Sequence, residues 1–342
     1  MMTVQPIDPH RVDFDLPGKH HYRLAFHLDS RWGYSLVPMT VINGPPAQDA
    51  GTGIAIIGGT HGNEYEGQIA VKRLCRDLDP NEVRGRVILM PQLSEAACTA
   101  HTRDCPEDGV NMNRAFPGDA HGSLSLRIAH FVKARVFPHV RVVIDIHAGG
   151  REAIFPLCTS LHPISDPARR EEAMQIARLF DTPFIYVYSR QMTLGLLTDE
   201  AEADGKLALG SELGFAEGAT PRGVRHAYEG VRNVLRHYQM LPGPVRRIDE
   251  DRASPPRVVQ ALDLADYVPC PRNGIWEPVV EPGADVSRGA LLGRLHDFAD
   301  HASDPLEIRA HRDGVVIALH FSAACRQGST LYVLAEDISA QP

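Results

Sequence analysis

Along the chain, short apolar runs of strand length alternate with amphipathic stretches of helical period. The runs "GIAIIGG" (53–59), "RVILMPQL" (86–93), "RVVIDIH" (141–147), "PFIYVY" (183–188) and "LALGSEL" (207–213) are rich in Val, Ile and Leu, as in strands covered on both faces. Between them Ala70, Leu74 and Leu78 recur every four residues, and Ala173, Ile176, Ala177 and Phe180 follow the i, i+3, i+4, i+7 pattern. A longer stripe holds Val224, Ala227, Tyr228, Val231, Val234 and Leu235. Ahead of all these, "YRLAFHL" and "LVPMTVI" read as two lead-in strands. Strand and helix in alternation predict an α/β fold with a largely parallel sheet flanked by helices.

After Leu241 the pattern changes. "LPGPVRRIDEDRASPPR", Leu241 to Arg257, breaks all periodicity and reads as a linker. Beyond it, "GIWEPVVEPGADVSRGALLGRL" and "LEIRAHRDGVVIALH" predict a small all-β module of short strands and glycine turns. Two units are therefore expected: 1–245, an α/β domain with a β lead-in, and 246–342, the linker and β module. "EPGADVSRGALLGRL" and "HRDGVV" look like the barrel of biotinyl and lipoyl carrier domains, yet no lysine follows Lys206. Without an acceptor amine the module is expected to be structural, with assembly into a homo-oligomer as one use.

Charge narrows the partners. Across 342 residues, 35 Lys+Arg against 43 Asp+Glu give a net charge of −8, which offers no electrostatic reason to expect a nucleic acid or an anionic membrane. The six cysteines, at 75, 98, 105, 158, 270 and 325, include no C-x-x-C pair and suit reduced thiols. "MMTVQPIDPHRVDFDLPGKHH" has no apolar h-region, and no later stretch approaches about 18 continuous apolar residues, so a cytoplasmic protein is expected.

In a parallel α/β sheet, ligands gather beyond the carboxyl ends of the strands. Three stretches place chemistry there: His61 and Glu64 after "GIAIIGG", His147 at the end of "RVVIDIH", and Glu212 at the end of "LALGSE". Two imidazoles and a carboxylate are the ligand set of a catalytic zinc whose fourth position stays open to water. H-x-x-E alone equally marks a solvated helix start; the glycines of "GGTHG" and "HAGG" and the second strand end favour the metal. Asp145, two residues before His147, points to the same face and is expected either to orient its imidazole or to cap a neighbouring loop. Glu212 is a carboxylate on an apolar strand, hence either a general base facing the metal or half of a buried ion pair. The loop "HTRDCPEDGVNMNRAFPGD" adds Arg103, Asn113 and Arg114, where an arginine fork suits a substrate carboxylate.

Taken in order, "GGTHGNEYEG", "NMNRAFPGD", "DIHAGG" and "SELG" resemble the succinylglutamate desuccinylase/aspartoacylase family of the zinc carboxypeptidase superfamily, over residues 20 to 335. The resemblance implies a zinc-carboxypeptidase-like mixed sheet and one Zn²⁺ per chain held by His61, Glu64 and His147. It implies Glu212 as general base, Asn113 and Arg114 on the substrate carboxylate, and Arg103 polarising the scissile carbonyl. The reaction implied is hydrolysis of a small-molecule N-acyl amino acid. "SRWG" and "GVRNVLRHYQML" look most like the family's branch of N-alpha-acetyl-L-2,4-diaminobutyrate deacetylases, from ectoine breakdown. Glu217, in "GFAEGATP", is the expected contact for a cationic substrate side chain. A carboxypeptidase acting on peptides and a non-catalytic metal-dependent binding protein remain as alternatives.

Overall fold

A computed structural model describes residues 4–28, 32–47, 53–192 and 194–339. The chain opens with β1 (Pro6–Ile7) and a long hairpin, β2 (Gly18–His27) and β3 (Tyr34–Asn43). The alternating part follows as β4 (Gly53–Gly58), α1 (Tyr65–Asp77), β5 (Arg86–Met90), α2 (Glu95–Ala100), α3 (Leu124–Phe131) and β6 (Val142–His147). It continues through β7 (Ala153–Ile154), β8 (Cys158–Leu161), α4 (Pro167–Arg178), β9 (Phe184–Tyr188), α5 (Leu197–Ala203), β10 (Leu207–Glu212) and α6 (Pro221–His237). The last strands are β11 (Arg257–Ala261), β12 (Tyr267–Pro269), β13 (Gly274–Pro278), β14 (Asp285–Val286), β15 (Leu291–His296), β16 (Leu306–Arg309), β17 (Gly314–His320), β18 (Ala324–Cys325) and β19 (Thr330–Asp337).

The fold is mixed α/β around one large sheet, ordered β1-β2-β3-β5-β4-β6-β10-β8-β9-β11-β19-β17-β14. Its centre, β5-β4-β6-β10, is parallel, and β8 turns antiparallel against β10. Strand alternation sends Ile54 and Ile56 to one face, where α1, α4 and α6 supply Leu74, Ile176 and Val231. Ala55 and Ile57 face the other way, toward Ile128 of α3 and Leu197 of α5. This two-sided cover explains why the runs read as continuously apolar. Helix α6 starts where Thr220 accepts from Gly223 N at 3.0 Å with Pro221 at the first helical position, a standard entry.

The segment read as a linker is fastened to the body, and its last residue, Arg257, already begins β11, which runs parallel to β9. Beyond it the C-terminal strands divide between two sheets. β17 and β19 extend the large sheet, while β16-β15-β13-β18 form a four-stranded sheet of their own. One cluster of buried side chains, including Trp276, Leu292, Val316 and Tyr332, joins the two. The six cysteines are all free, and among the described residues no helix is long and apolar enough to cross a membrane.

Candidate metal centre and active site

Three adjacent parallel strands deliver the site. β6 lies between β4 and β10, and the register sets His147 directly beside Glu212 while Gly58 lies beside Ile146. The chain leaving β4 turns at once, through Gly59 at φ 66°, a left-handed conformation that glycine adopts without strain. A Cβ at Gly62 would lie 2.1 Å from the Ala97 backbone, so α2 closes over the turn only because glycine stands there. The turn carries His61 inward and leaves Glu64 as the residue preceding α1.

The three side chains predicted as ligands meet. His61 Nδ1 lies 2.8 Å from Glu64 Oε1, His147 Nδ1 lies 2.9 Å from Glu64 Oε2, and the two rings are 5.0 Å apart. All three are at most 11 % exposed at the side chain. Each outward ring nitrogen is held from behind: His147 Nε2 is 2.6 Å from Asp145 Oδ2, and His61 Nε2 is 3.0 Å from Asn111 Oδ1. Both inward nitrogens are then Nδ1, aimed at one point together with a carboxylate. Asp145 thus stands where an orienting carboxylate belongs, with Thr60 Oγ1 donating to its other oxygen at 2.7 Å.

The electrostatics ask for a cation here. Burial opposes the charge of Glu64, yet the charges and hydrogen bonds of His61 and His147 together hold it well below the usual carboxylate range. Burial pushes Glu212 up to about 8, and the neighbouring Glu64 charge adds to the shift. His61 Nδ1 is buried without a hydrogen-bond partner of good geometry, as is Glu212 Oε2. Orphaned buried donors and acceptors are costly, and a divalent ion with an imidazole/carboxylate shell satisfies such a set. His61, Glu64 and His147 therefore fit a zinc ion, each offering one ligand atom within 4.8 Å of the others.

A cavity of about 260 Å³ opens over this centre. Arg103, Asn113, Arg114 and Glu212 all line it. Arg103 Nη1 donates to Glu64 Oε1 at 3.0 Å. Asn113 Oδ1 is taken by Leu197 N at 2.9 Å, which turns the amide nitrogen toward His147 at 3.4 Å. Arg114 reaches solvent from the lining, and desolvation followed by the neighbouring Arg103 charge lowers its pKa. Two sequence candidates stand off the cavity lining: Asp145, behind His147, and Glu217, whose carboxylate accepts from Asn63 Nδ2 at 3.0 Å and pairs with Arg151 Nε at 2.6 Å. Sequence reasoning passed over Asn111, two residues before Asn113 in "NMNR", whose spacing was the available signal. It also passed over Glu152, Tyr186, Tyr188 and Tyr267, which line the cavity as well.

Residues 50–238 match the model of the succinylglutamate desuccinylase/aspartoacylase catalytic domain. The chain belongs to this family. It is 33% identical over 333 residues, 96% of its length and 95% of the relative's, to the N-alpha-acetyl-L-2,4-diaminobutyric acid deacetylase of Halomonas elongata. Among solved structures it is similar to a succinylglutamate desuccinylase/aspartoacylase from Rhodobacter sphaeroides, with TM-score 0.89 and 32% identity over 95% of this chain and 97% of that one. It is likewise similar to the product-bound ectoine utilization protein EutE (DoeB) of Ruegeria pomeroyi, with TM-score 0.87 and 28% identity over 95% and 97%. In each case the likeness spans the C-terminal strands as well as the α/β part.

Proposed function

We propose that this family member is a zinc-dependent amidohydrolase that cleaves small N-acyl amino acids, with N-alpha-acetyl-L-2,4-diaminobutyrate or a related N-acetyl amino acid as substrate. The observation that carries the reading is the convergence of His61, Glu64 and His147 beside the unpartnered, buried oxygen of Glu212. Full-length similarity to a diaminobutyric acid deacetylase supports the choice of substrate. The cavity volume falls below the roughly 300–1,000 Å³ of drug-sized sites, which favours a small acyl amino acid over a peptide.

When bound, zinc supplies Lewis acidity to the acyl carbonyl and to the attacking water. Beside a bound divalent cation, whose charge would favour the ionised carboxylate, Glu212 takes a proton from the water as its oxygen adds to the carbonyl carbon, then delivers that proton to the amine nitrogen as the C–N bond breaks. Arg103, with one nitrogen on Glu64, directs its remaining donors at the carbonyl oxygen while negative charge develops there. Arg114 and the Asn113 amide nitrogen hold the α-carboxylate and so fix which carbonyl lies over the centre. The products are a free amino acid and a short carboxylate. On this reading residues 1–245 form the catalytic unit, and 246–342 form a barrel-like β module that walls the cavity and can carry self-association.

The test is a panel of N-acetylated amino acids and short peptides with the zinc-loaded chain. Acetate release that a chelator abolishes and zinc restores is expected, with acyl amino acids preferred to peptides. Glu212→Gln should keep zinc and product binding while turnover falls by about 10²–10⁴. Equal turnover in the variant, or cleavage of peptides alone, would sink the reading.

A further inference from the structure

The cavity carries an unbalanced charge at its rim. Of its lining arginines, Arg103 is engaged by Glu64, which leaves Arg114 for a substrate carboxylate. Among the described residues no third arginine or lysine lines the cavity, so a second substrate carboxylate, as in an acyl aspartate or glutamate, meets no further cation there. Among the lining carboxylates, Glu64 belongs to the metal set and Glu212 faces the reacting bond. Glu152 is left over.

Among the described residues no arginine or lysine pairs with that charge, and the backbone that bears it is held in place. The preceding residue, Arg151, is turned away to Glu217 at 2.6 Å and does not neutralise it. The electrostatic neighbour that the structure does give Glu152 is His320, whose pKa burial lowers, so that imidazole is neutral near pH 7. The backbone at Glu152 is held from two sides. Its N–H donates to Gly149 O at 3.0 Å, and its carbonyl accepts from Phe321 N at 3.2 Å, just past the end of β17. Strand β7 then pairs Ala153 with His320 and Ile154 with Leu319. A C-terminal strand thus pins the rim that bears the carboxylate.

Aromatic rings line the same cavity. The Phe155 and Tyr186 rings lie 6.5 Å apart and those of Tyr186 and Tyr188 lie 5.7 Å apart, giving apolar faces for a methylene stem and none of the fixed positive charge that would repel an ammonium.

We propose that Glu152 receives the side-chain ammonium of the substrate, so that the cavity selects acyl diamino acids, anchored by Arg114 at the carboxylate and by Glu152 at the amine. This rests on the deacylase reading above. It transfers to Glu152 the role that the sequence assigned to Glu217, whose carboxylate is spent on Asn63 and Arg151.

The experiment compares kcat/KM for N-acetyl-2,4-diaminobutyrate with that for N-acetyl-2-aminobutyrate, the same skeleton without the amine. Because Glu152 is exposed and therefore screened, Glu152→Gln should lower the cationic-to-neutral ratio by about two- to fivefold, and Glu152→Lys by about tenfold or more, chiefly through KM. Glu217→Gln should leave the ratio where it was. A ratio unmoved in both Glu152 variants, or one that falls with Glu217→Gln instead, overturns the assignment while leaving the deacylase reading intact. If the wild-type chain hydrolyses neither compound but releases acetate from another N-acetyl amino acid, the Glu152 assignment falls and the deacylase reading stands; release from none of them sinks both.

Discussion

Asp145 and His147, two residues apart on β6 and therefore on one face, meet with Asp145 Oδ2 2.6 Å from His147 Nε2. Both side chains leave the same face at the end of β6. Thr60, from the turn after β4, locks the other carboxylate oxygen at 2.7 Å, so two strands fix the ring plane. A carboxylate behind a metal-bound imidazole sets its tautomer and raises its basicity. Asp145→Ala is therefore expected to weaken zinc binding by about 10–100-fold. Asp145→Asn, which keeps an accepting oxygen, should lose less. Competition against a chromophoric chelator measures this, and an Ala variant with unchanged affinity would remove Asp145 from the ion's support.

A second relationship ties down the stretch that lacked any periodicity. Asp181 sits at φ 51° after α4, and its Oδ2 accepts from Ile248 N at 2.8 Å, Asp249 N at 3.0 Å and Arg247 Nε at 3.1 Å, while Arg252 pairs with the other oxygen. Burial pushes its pKa up, but the Asp249 and Ile248 amides and the charges of Arg252 and Arg247 outweigh that and hold it below 3.8. A depressed carboxylate contributes stability that is complete above its unfolded pKa and is lost as pH falls through the folded one. Asp181→Asn should thus cost about 2–3 kcal/mol at neutral pH by weakening charge-assisted bonds to buried amides. The difference from wild type should shrink as pH drops below 3.8, which urea unfolding at neutral and acidic pH would reveal. A difference that stays constant with pH would assign the effect to packing.

These two cases mark what the sequence could disclose. His61, Glu64, His147 and Glu212 were legible because strand ends of a parallel sheet define one edge, and polar residues in apolar runs stand out against it. The parallel strands β4, β5, β6, β9 and β10 were legible from apolar runs for the same reason. Asp181 was not, since its partners lie 66 to 71 residues away and no local pattern encodes a left-handed aspartate that gathers them. Strand β8, "CTSL", is too short and too polar to register as a run. Two glutamates in one motif also part company. Glu64 faces the histidines, whereas Glu66, fully buried, accepts from Thr220 N at 3.0 Å and joins α1 to the start of α6. Spacing gave no means of telling them apart, because the assignment depends on which helix packs against α1.

The C-terminal strands reach the cavity through Tyr267, whose hydroxyl lies 2.9 Å from that of Tyr186 and donates to Ala261 O at 3.3 Å. Tyr186 OH can then donate to Tyr267, forming a short chain of bonds from β9 to β12 in a buried setting that pushes the Tyr186 pKa upward. Removing one member strands the other, and an orphaned buried hydroxyl costs more than the bond itself contributed. Tyr267→Phe is therefore expected to destabilise the chain by about 1–3 kcal/mol, with Tyr186 left unsatisfied. Tyr186→Phe should cost less, because Tyr267 keeps Ala261 O as acceptor. The double variant has no stranded phenol and should fall short of the summed single losses by about 0.5–3 kcal/mol, a coupling that denaturant titration of all four proteins measures. Strict additivity would mean that the two hydroxyls stand side by side without bonding, and that backbone pairing and apolar packing hold the C-terminal strands against the cavity wall without them.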